Sequence, residues 1–205
     1  MNFHGVESLD VSRETLSKLE SYVALLRKWN PKINLVSPDT LDQAWDRHIV
    51  DSAQLVDLMP RNAKTWVDIG SGGGFPGMIV AVILNETAPA CDVTLIESDQ
   101  RKSAFLRAVN RDLDLGVKVE TKRIEDVTPL AADVVSARAL APLNKLLGYA
   151  SRHVRTGGVA LLPKGRSWKK EIPTAQSQWN FSFETHKSAT APDAVVLEIR
   201  DIVHV

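Results

Sequence analysis

From residue 64 to residue 162 the chain alternates short apolar runs with helical patterns, and this alternation restricts its possible architectures more than any other feature. The strand-like runs are residues 65–69, 92–96, 117–121, 133–136 and 159–162. Helical patterns at 77–84, 101–110 and 142–149 follow the first, second and fourth of them. Strands separated by helices pair in parallel, because the helix carries the chain back along the sheet, and both faces are then covered. Near the C-terminus the rhythm breaks. Residues 179–183 and 194–203 are strand-like, with a Ser/Thr/Ala/Pro loop and no helix between them, which predicts an antiparallel hairpin completing the sheet. The expected fold class is therefore α/β, a doubly wound, mostly parallel sheet of seven strands ending in that hairpin.

The first 60 residues read differently. Leu16, Leu19, Tyr22, Val23 and Leu26 recur at helical spacing after Ser12, predicting an amphipathic helix over 13–29 closed by Pro31. Leu41, Trp45, His48, Ile49 and Leu55 give an apolar face to a second helical region, 39–58, ended by Pro60. The expected division is an N-terminal helical cap, 1–60, and an α/β domain, 61–205. At 205 residues with 44% hydrophobic content, the chain can bury a substantial core. Its longest apolar run, 78–84, is far shorter than the roughly 20 residues that cross a bilayer, and the N-terminus lacks a signal pattern, so a cytoplasmic location without membrane contact is expected. The single cysteine, Cys91, reads as a small buried residue opening a strand; no zinc-like spacing exists and no metal is expected.

The richest chemical signal is Asp68-Ile69-Gly70-Ser71-Gly72-Gly73-Gly74-Phe75-Pro76-Gly77, placed where the first strand ends and a helix begins. That is the carboxyl edge at which doubly wound sheets bind ligands. A P-loop needs Lys and then Ser or Thr after its last glycine, whereas Gly77 is followed by Met78 and Ile79. A dinucleotide fingerprint forced onto Gly72, Gly74 and Gly77 encloses Pro76, and the frame from Gly70 meets Phe75 where its third glycine belongs. Asp68 sits where a carboxylate suits the cationic amino acid moiety of S-adenosylmethionine and opposes a diphosphate. Glu97 ends the second strand, at the distance where a carboxylate takes both hydroxyls of an adenosine ribose. Arg123-Ile124-Glu125-Asp126 follows the third strand, on the side where the adenine would lie.

Lys plus Arg equals Asp plus Glu at 25 each, so no global positive field advertises a nucleic acid partner. The distribution is less even. Arg152, Arg155, Lys164, Arg166, Lys169 and Lys170 form one group, and Arg101, Lys102, Arg107 and Arg111 another; a solvated face explains any single member.

Together these stretches resemble the bacterial small-subunit ribosomal RNA methyltransferase G family, also called glucose-inhibited division protein B. The resemblance rests on Trp29-Asn30-Pro31-Lys32-Ile33-Asn34-Leu35, Arg47-His48-Ile49-Val50-Asp51-Ser52, Asp68 to Gly77 with its Gly-Phe-Pro-Gly, Leu95-Ile96-Glu97-Ser98, Phe105-Leu106, Arg123-Ile124-Glu125, Ser136, Arg138 and Ala139, and Lys164-Gly165. It covers about four-fifths of the chain, with Arg101-Lys102 standing for a common pair of lysines. The resemblance implies an S-adenosylmethionine methyltransferase fold and methyl transfer to N7 of a guanine in the decoding region of 16S ribosomal RNA. It further implies that Gly70, Phe75, Ile124, Glu125 and Arg138 contact the cofactor, with Asp68, Gly72 and Glu97 alongside. Arg138 is the expected catalytic positioning residue.

Guanine N7 carries an in-plane lone pair and no proton, so attack on a sulfonium methyl needs alignment and exclusion of water rather than a general base. The chain accordingly has no need of a catalytic triad or a cysteine nucleophile. The target base must leave its stack. Asn34, Arg47, His48 and Asp51 of the cap, with Lys164 and Arg166, are the candidates for holding the RNA or small ribosomal subunit, whereas no DNA partner is expected and the protein reads as a monomer. Three other readings stay open: a methyltransferase acting on a small molecule or a protein, favoured by the neutral charge; a noncatalytic RNA-binding or assembly factor with a retained pocket; and a nicotinamide-dependent oxidoreductase.

Overall fold

The computed structural model describes residues 9–205, so the first eight residues of the expected cap lie outside the described residues, as does the start of the chain on which the signal-pattern reading rests. Helix α1 (Arg13–Ile33) is followed by four short pieces: α2 (Pro38–Leu41), a π-helical turn (Trp45–Val50), α3 (Asp51–Ala53) and a 3-10 turn (Val56–Leu58). Then come β1 (Thr65–Ile69), α4 (Gly77–Thr87), β2 (Asp92–Ile96), α5 (Gln100–Leu113), β3 (Lys118–Glu120), β4 (Ala132–Ser136), α6 (Leu143–His153) and β5 (Val154–Lys164). The chain closes with α7 (Trp168–Gln176), β6 (Trp179–Lys187) and β7 (Val195–His204).

The seven strands form one sheet in the order β3-β2-β1-β4-β5-β7-β6, with β1 to β5 parallel and the last two antiparallel, as the sequence predicts. Strand side chains alternate between faces. Trp66, Leu95, Val134 and Leu161 enter one core with α1, α4 and α5, while Val67, Ile96, Val135 and Leu162 enter the other with α6. Every residue from Met78 to Leu84 of α4 is buried. A helix apolar all round needs cover on its outer side, and Leu19, Tyr22, Leu26, Ile49 and Leu55 of the N-terminal segment, all in its core cluster, supply it.

The boundaries correct several expectations. Pro31 does not close α1, which runs to Ile33: the Asn34 amide still reaches the Asn30 carbonyl, and Asn30 Oδ1 accepts the Leu35 and Val36 amides at 2.8 and 2.9 Å. Residues 39–58 are not one helix but four pieces, one of them the π-turn that aims side chains at the sheet edge. Helix α7 is an addition to the predicted elements; its apolar positions, Trp168, Ile172 and Ala175, are few and Pro173 interrupts them. Cys91 is half-buried and lies in the turn before β2 rather than in the strand. Among the described residues no helix is long and apolar enough to cross a membrane.

Candidate active site

Sheet order reverses between β1 and β4, which puts the carboxyl ends of β1, β2 and β4 around the point where open α/β sheets leave a crevice. A cleft of about 1160 Å³ lies there. That exceeds the roughly 300–1,000 Å³ of a small-molecule site and leaves room for a nucleotide beside a cofactor.

Its floor is the glycine turn. Gly70 and Gly72 have φ of +68° and +55°, which glycine adopts freely, and the Gly70 and Ser71 amides donate to the Ile96 carbonyl at 2.8 and 3.1 Å, tying the turn to β2. From α1, the buried Tyr22 hydroxyl donates to the Gly73 carbonyl and its ring meets Phe75 edge-on. Glu97 follows β2 directly, with one oxygen accepting the Gly72 amide at 2.7 Å and the other accepting the Asp99 amide at 2.7 Å. Each oxygen keeps a second acceptor position. That acceptor pair, at the cleft wall, matches the chemistry of a vicinal diol.

Asp68 is placed differently from its expected contact with a ligand. It is fully buried beneath the turn and does not line the cleft. Ser136 Oγ donates to its Oδ1 at 2.7 Å and itself accepts from Trp66 Nε1 at 2.9 Å, a relay that joins β1 to β4. Burial pushes its carboxyl up to about 6, with the Ser136 hydroxyl, the dipoles of Ser71 and Gly77 and the Arg138 charge limiting the rise.

Arg138, just past β4, is held by the cap. Its Nη1 donates to the Arg47 carbonyl at 3.0 Å and to Asp51 Oδ2 at 2.9 Å, and its Nη2 lies 2.9 Å from His48 Nδ1. A guanidinium only donates, so Nδ1 accepts and the imidazole proton sits on Nε2, facing Thr40 Oγ1 at 3.0 Å. Burial and the neighbouring guanidinium lower the His48 pKa to about 4. Phe75 packs against both groups, with the His48 ring stacked at 4.7 Å and the Arg138 guanidinium 5.0 Å from its centroid. Arg138 retains Nε–H and one Nη2–H for another partner.

On the wall beyond β3, Ile124 and Glu125 line the cleft in a 3-10 turn pinned from α6: His153 Nε2 meets the Ile124 carbonyl at 3.1 Å and Arg152 donates to the Val127 carbonyl. At the opposite rim Lys164 bonds Glu171 at 2.7 Å, and the same carboxylate oxygen caps α6 through the Leu143 amide at 2.7 Å. Arg47, Arg166, His48 and Asp51 line the cleft; Asn34 is exposed at the end of α1 and does not. The basic group is thus divided. Arg152, Arg155 and Lys164 are engaged within the fold, Arg155 with Asp133 at 2.6 Å, although Lys164 also lines the cleft, whereas Arg166, Lys169 and Lys170 are exposed. Thr40, Gln54, Tyr149 and Thr190 also stand on the cleft wall, and polar residues in loops and helical pieces carry no periodic signal in the sequence that would mark them.

A doubly wound sheet with a reversed last strand, a glycine floor and a carboxylate beside it at the end of the second strand defines a methyltransferase of the S-adenosylmethionine-dependent class. Two solved structures share the fold: an O-methyltransferase from Bacillus cereus in complex with SAH, 15% identical with a TM-score of 0.59 over 96% of this chain and 95% of that one, and a SAM-dependent methyltransferase from Aquifex aeolicus, 12% identical with a TM-score of 0.59 over 87% and 98%. The chain belongs to the rRNA small subunit methyltransferase G family, whose model matches residues 15–199. Ribosomal RNA small subunit methyltransferase G of Ruegeria pomeroyi is 50% identical over 97% of both chains, and that of Paracoccus denitrificans is 50% identical over 96% of this chain and 100% of the relative.

Proposed function

We propose that this protein transfers the methyl group of S-adenosylmethionine to N7 of a guanine in 16S ribosomal RNA of the small subunit. When bound, S-adenosylmethionine supplies the methyl group as an electrophile. Glu97 would take the ribose hydroxyls, the Gly70–Gly72 backbone would pass beside the amino acid moiety, and Ile124 and Glu125 would flank the adenine. Arg138, through its two unused N–H groups, and Phe75 would orient the reacting end. Asp68 supports the floor from below.

One observation carries the reaction class: the titratable groups beside Arg138 are already committed. His48 is neutral with both nitrogens occupied, and Asp51 accepts from Arg138, Gln54 and Thr190. A cleft arranged this way suits a nucleophile with no proton to lose, where alignment supplies the catalysis. The exposed Arg47 and Arg166 are the rim cations that would meet RNA phosphates, and Asn34 stands further out on the cap; Lys164 lines the same cleft with its charge paired to Glu171. In this reading the cap, 1–60, and the methyltransferase domain, 61–205, work as one cytoplasmic monomer on RNA rather than DNA.

The test is incubation with methyl-labelled S-adenosylmethionine and small subunits from cells lacking the activity, followed by nucleoside analysis. Label in 7-methylguanosine at one position is expected. Label in another nucleoside would overturn the target, and no label on subunits or naked RNA would overturn the RNA substrate altogether.

A further inference from the structure

The loop between β6 and β7 crosses to the cap and is tied there by two hydrogen bonds. Thr190 Oγ1 donates to Asp51 Oδ1 at 2.9 Å, and the Ala189 amide donates to Gln54 Oε1 at 2.9 Å. Gln54 Nε2 returns to Asp51, donating to its carbonyl at 2.8 Å and to Oδ1 at 3.1 Å. These contacts converge on one carboxylate whose other oxygen, Oδ2, accepts from Arg138 Nη1. Thr190 is itself preset, because Ser188 Oγ accepts the Thr190 amide at 3.2 Å and lies 3.2 Å from its hydroxyl.

The arrangement solves a geometric problem. A carboxylate paired only with Arg138 could follow the guanidinium as it turned, so the pair would hold charge in the cleft without fixing direction. Two donors on Oδ1 remove that freedom and leave Oδ2 aimed one way. Charge-assisted hydrogen bonds are directional as well as strong, so the direction passes to Arg138, whose remaining face packs on Phe75.

We propose that Thr190 is a positioning residue for methyl transfer: with Gln54 it fixes the Asp51 carboxylate, Asp51 fixes Arg138, and the loop of the C-terminal hairpin is thereby part of the active site. The inference rests on reading the cleft as the methyl-transfer site. It goes further in giving a positioning role to the loop that joins β6 and β7.

The experiment compares Thr190→Val, nearly the same shape without the hydroxyl, with Thr190→Ser, which restores the donor. Gln54→Leu cuts the tie from the other side. The first readout is kcat against KM for methylation of small subunits, beside the dissociation constant for S-adenosylmethionine. Misaiming a reacting group by about 1 Å can cost on the order of a hundredfold, and loss of one of two anchors predicts a fall in kcat of about tenfold for Thr190→Val. Cofactor affinity should stay within about twofold, since the loop's hydrogen bonds run to Asp51 and Gln54 rather than to Glu97 or the glycine turn, and Thr190→Ser should recover activity to within about twofold. The second readout needs no activity: in ¹⁵N spectra of arginine-labelled protein, the Arg138 guanidinium should show slow Cζ–Nε rotation in the wild type and faster rotation in Thr190→Val and Gln54→Leu. Unchanged kcat with unchanged guanidinium rotation would overturn the inference. So would a loss of activity that serine does not rescue and that follows a lowered melting temperature, since the loop would then be structural only. If the wild type makes no 7-methylguanosine, the proposed function fails, while the guanidinium spectra still decide whether the loop positions Arg138.

Discussion

Gly77→Ala tests the packing that holds the glycine floor against the sheet. Gly77 opens α4 directly over β1, and a Cβ there would lie 2.4 Å from Asp68 Cβ, 2.4 Å from Leu95 Cδ2 and 2.7 Å from Asp68 Oδ2. Non-bonded carbons rest about 3.5–4.0 Å apart, so both carbon contacts overlap by about 1 Å or more. The leucine could turn, although it is fully buried; Asp68 Cβ cannot, because β1 is paired on both sides, to β2 and β4. The start of α4 must therefore lift from the sheet. Overpacking of this kind costs about 1–3 kcal/mol, and fixed backbone on one side points to the upper end. Alanine's helix propensity recovers at most about 1 kcal/mol, and less at the first helical position than in the interior. A net loss of about 2–3 kcal/mol, at about 2–4 °C per kcal/mol for a protein of this size, lowers Tm by roughly 4–12 °C. Thermal unfolding followed by circular dichroism measures this directly, with Gly165→Ala, where a Cβ meets nothing within 4 Å, as the control. Because the 70–76 turn runs into the same helix, affinity for S-adenosylmethionine should fall as well. A Gly77→Ala protein that melts within about 1 °C of wild type, a change below the roughly 0.5 kcal/mol typical of neutral surface substitutions, would refute the argument.

Glu97→Gln replaces one acceptor oxygen with a donor, conflicting with either the Gly72 or the Asp99 amide as well as with a ribose hydroxyl. Loss of a hydrogen bond to a charged group, about 1.5–3 kcal/mol, predicts weaker cofactor binding by about tenfold or more in calorimetric titration; unchanged binding would remove Glu97 from the site. Arg138→Ala should cut methyl transfer by more than about a hundredfold, the scale of a misplaced reacting group, while circular dichroism shows the fold intact; normal turnover would remove its role. Two buried groups should titrate away from their ordinary ranges. Asp68 is raised to about 6, so its contribution to stability is complete below about pH 4 and is lost as pH rises through about 6; His48 is lowered to about 4, so its contribution is present above about pH 6.5 and is lost as pH falls through about 4. Carboxyl ¹³C and imidazole ¹H shifts report each group, and an Asp68 midpoint below 4 or a His48 midpoint near 6.5 would contradict the burial argument.

How much of the site was legible depends on how local each signal is. The turn of Gly70 to Gly77 and the acid at the end of β2 sit at fixed offsets from strands, so their place at the carboxyl edge follows from strand and helix periods alone. Arg138 follows β4 by the same logic. His48 and Asp51 were legible as chemically suitable residues, but their convergence on Arg138 spans about 90 residues of sequence and depends on the π-turn, which no periodicity marks. Lys164 lines the cleft beside its basic neighbours, but its ion pair with Glu171 depends on α7, whose few apolar positions and Pro173 leave no clear helical pattern.

The sequence by itself determined the layer architecture, because period-2 and period-3.6 apolar patterns and the glycine punctuation are properties of neighbouring residues. It also determined the family, because residue identities in the glycine turn and the Arg-His-x-x-Asp-Ser segment are specific. Tertiary structure alone decided how those residues are used. Asp68 became a buried support because Ser136 and Gly77 close over it, and Arg138 acquired a direction because the cap and the hairpin loop meet at Asp51. Burial and side-chain direction arise from contacts between distant segments, which sequence spacing does not encode until the sheet has brought the segments together.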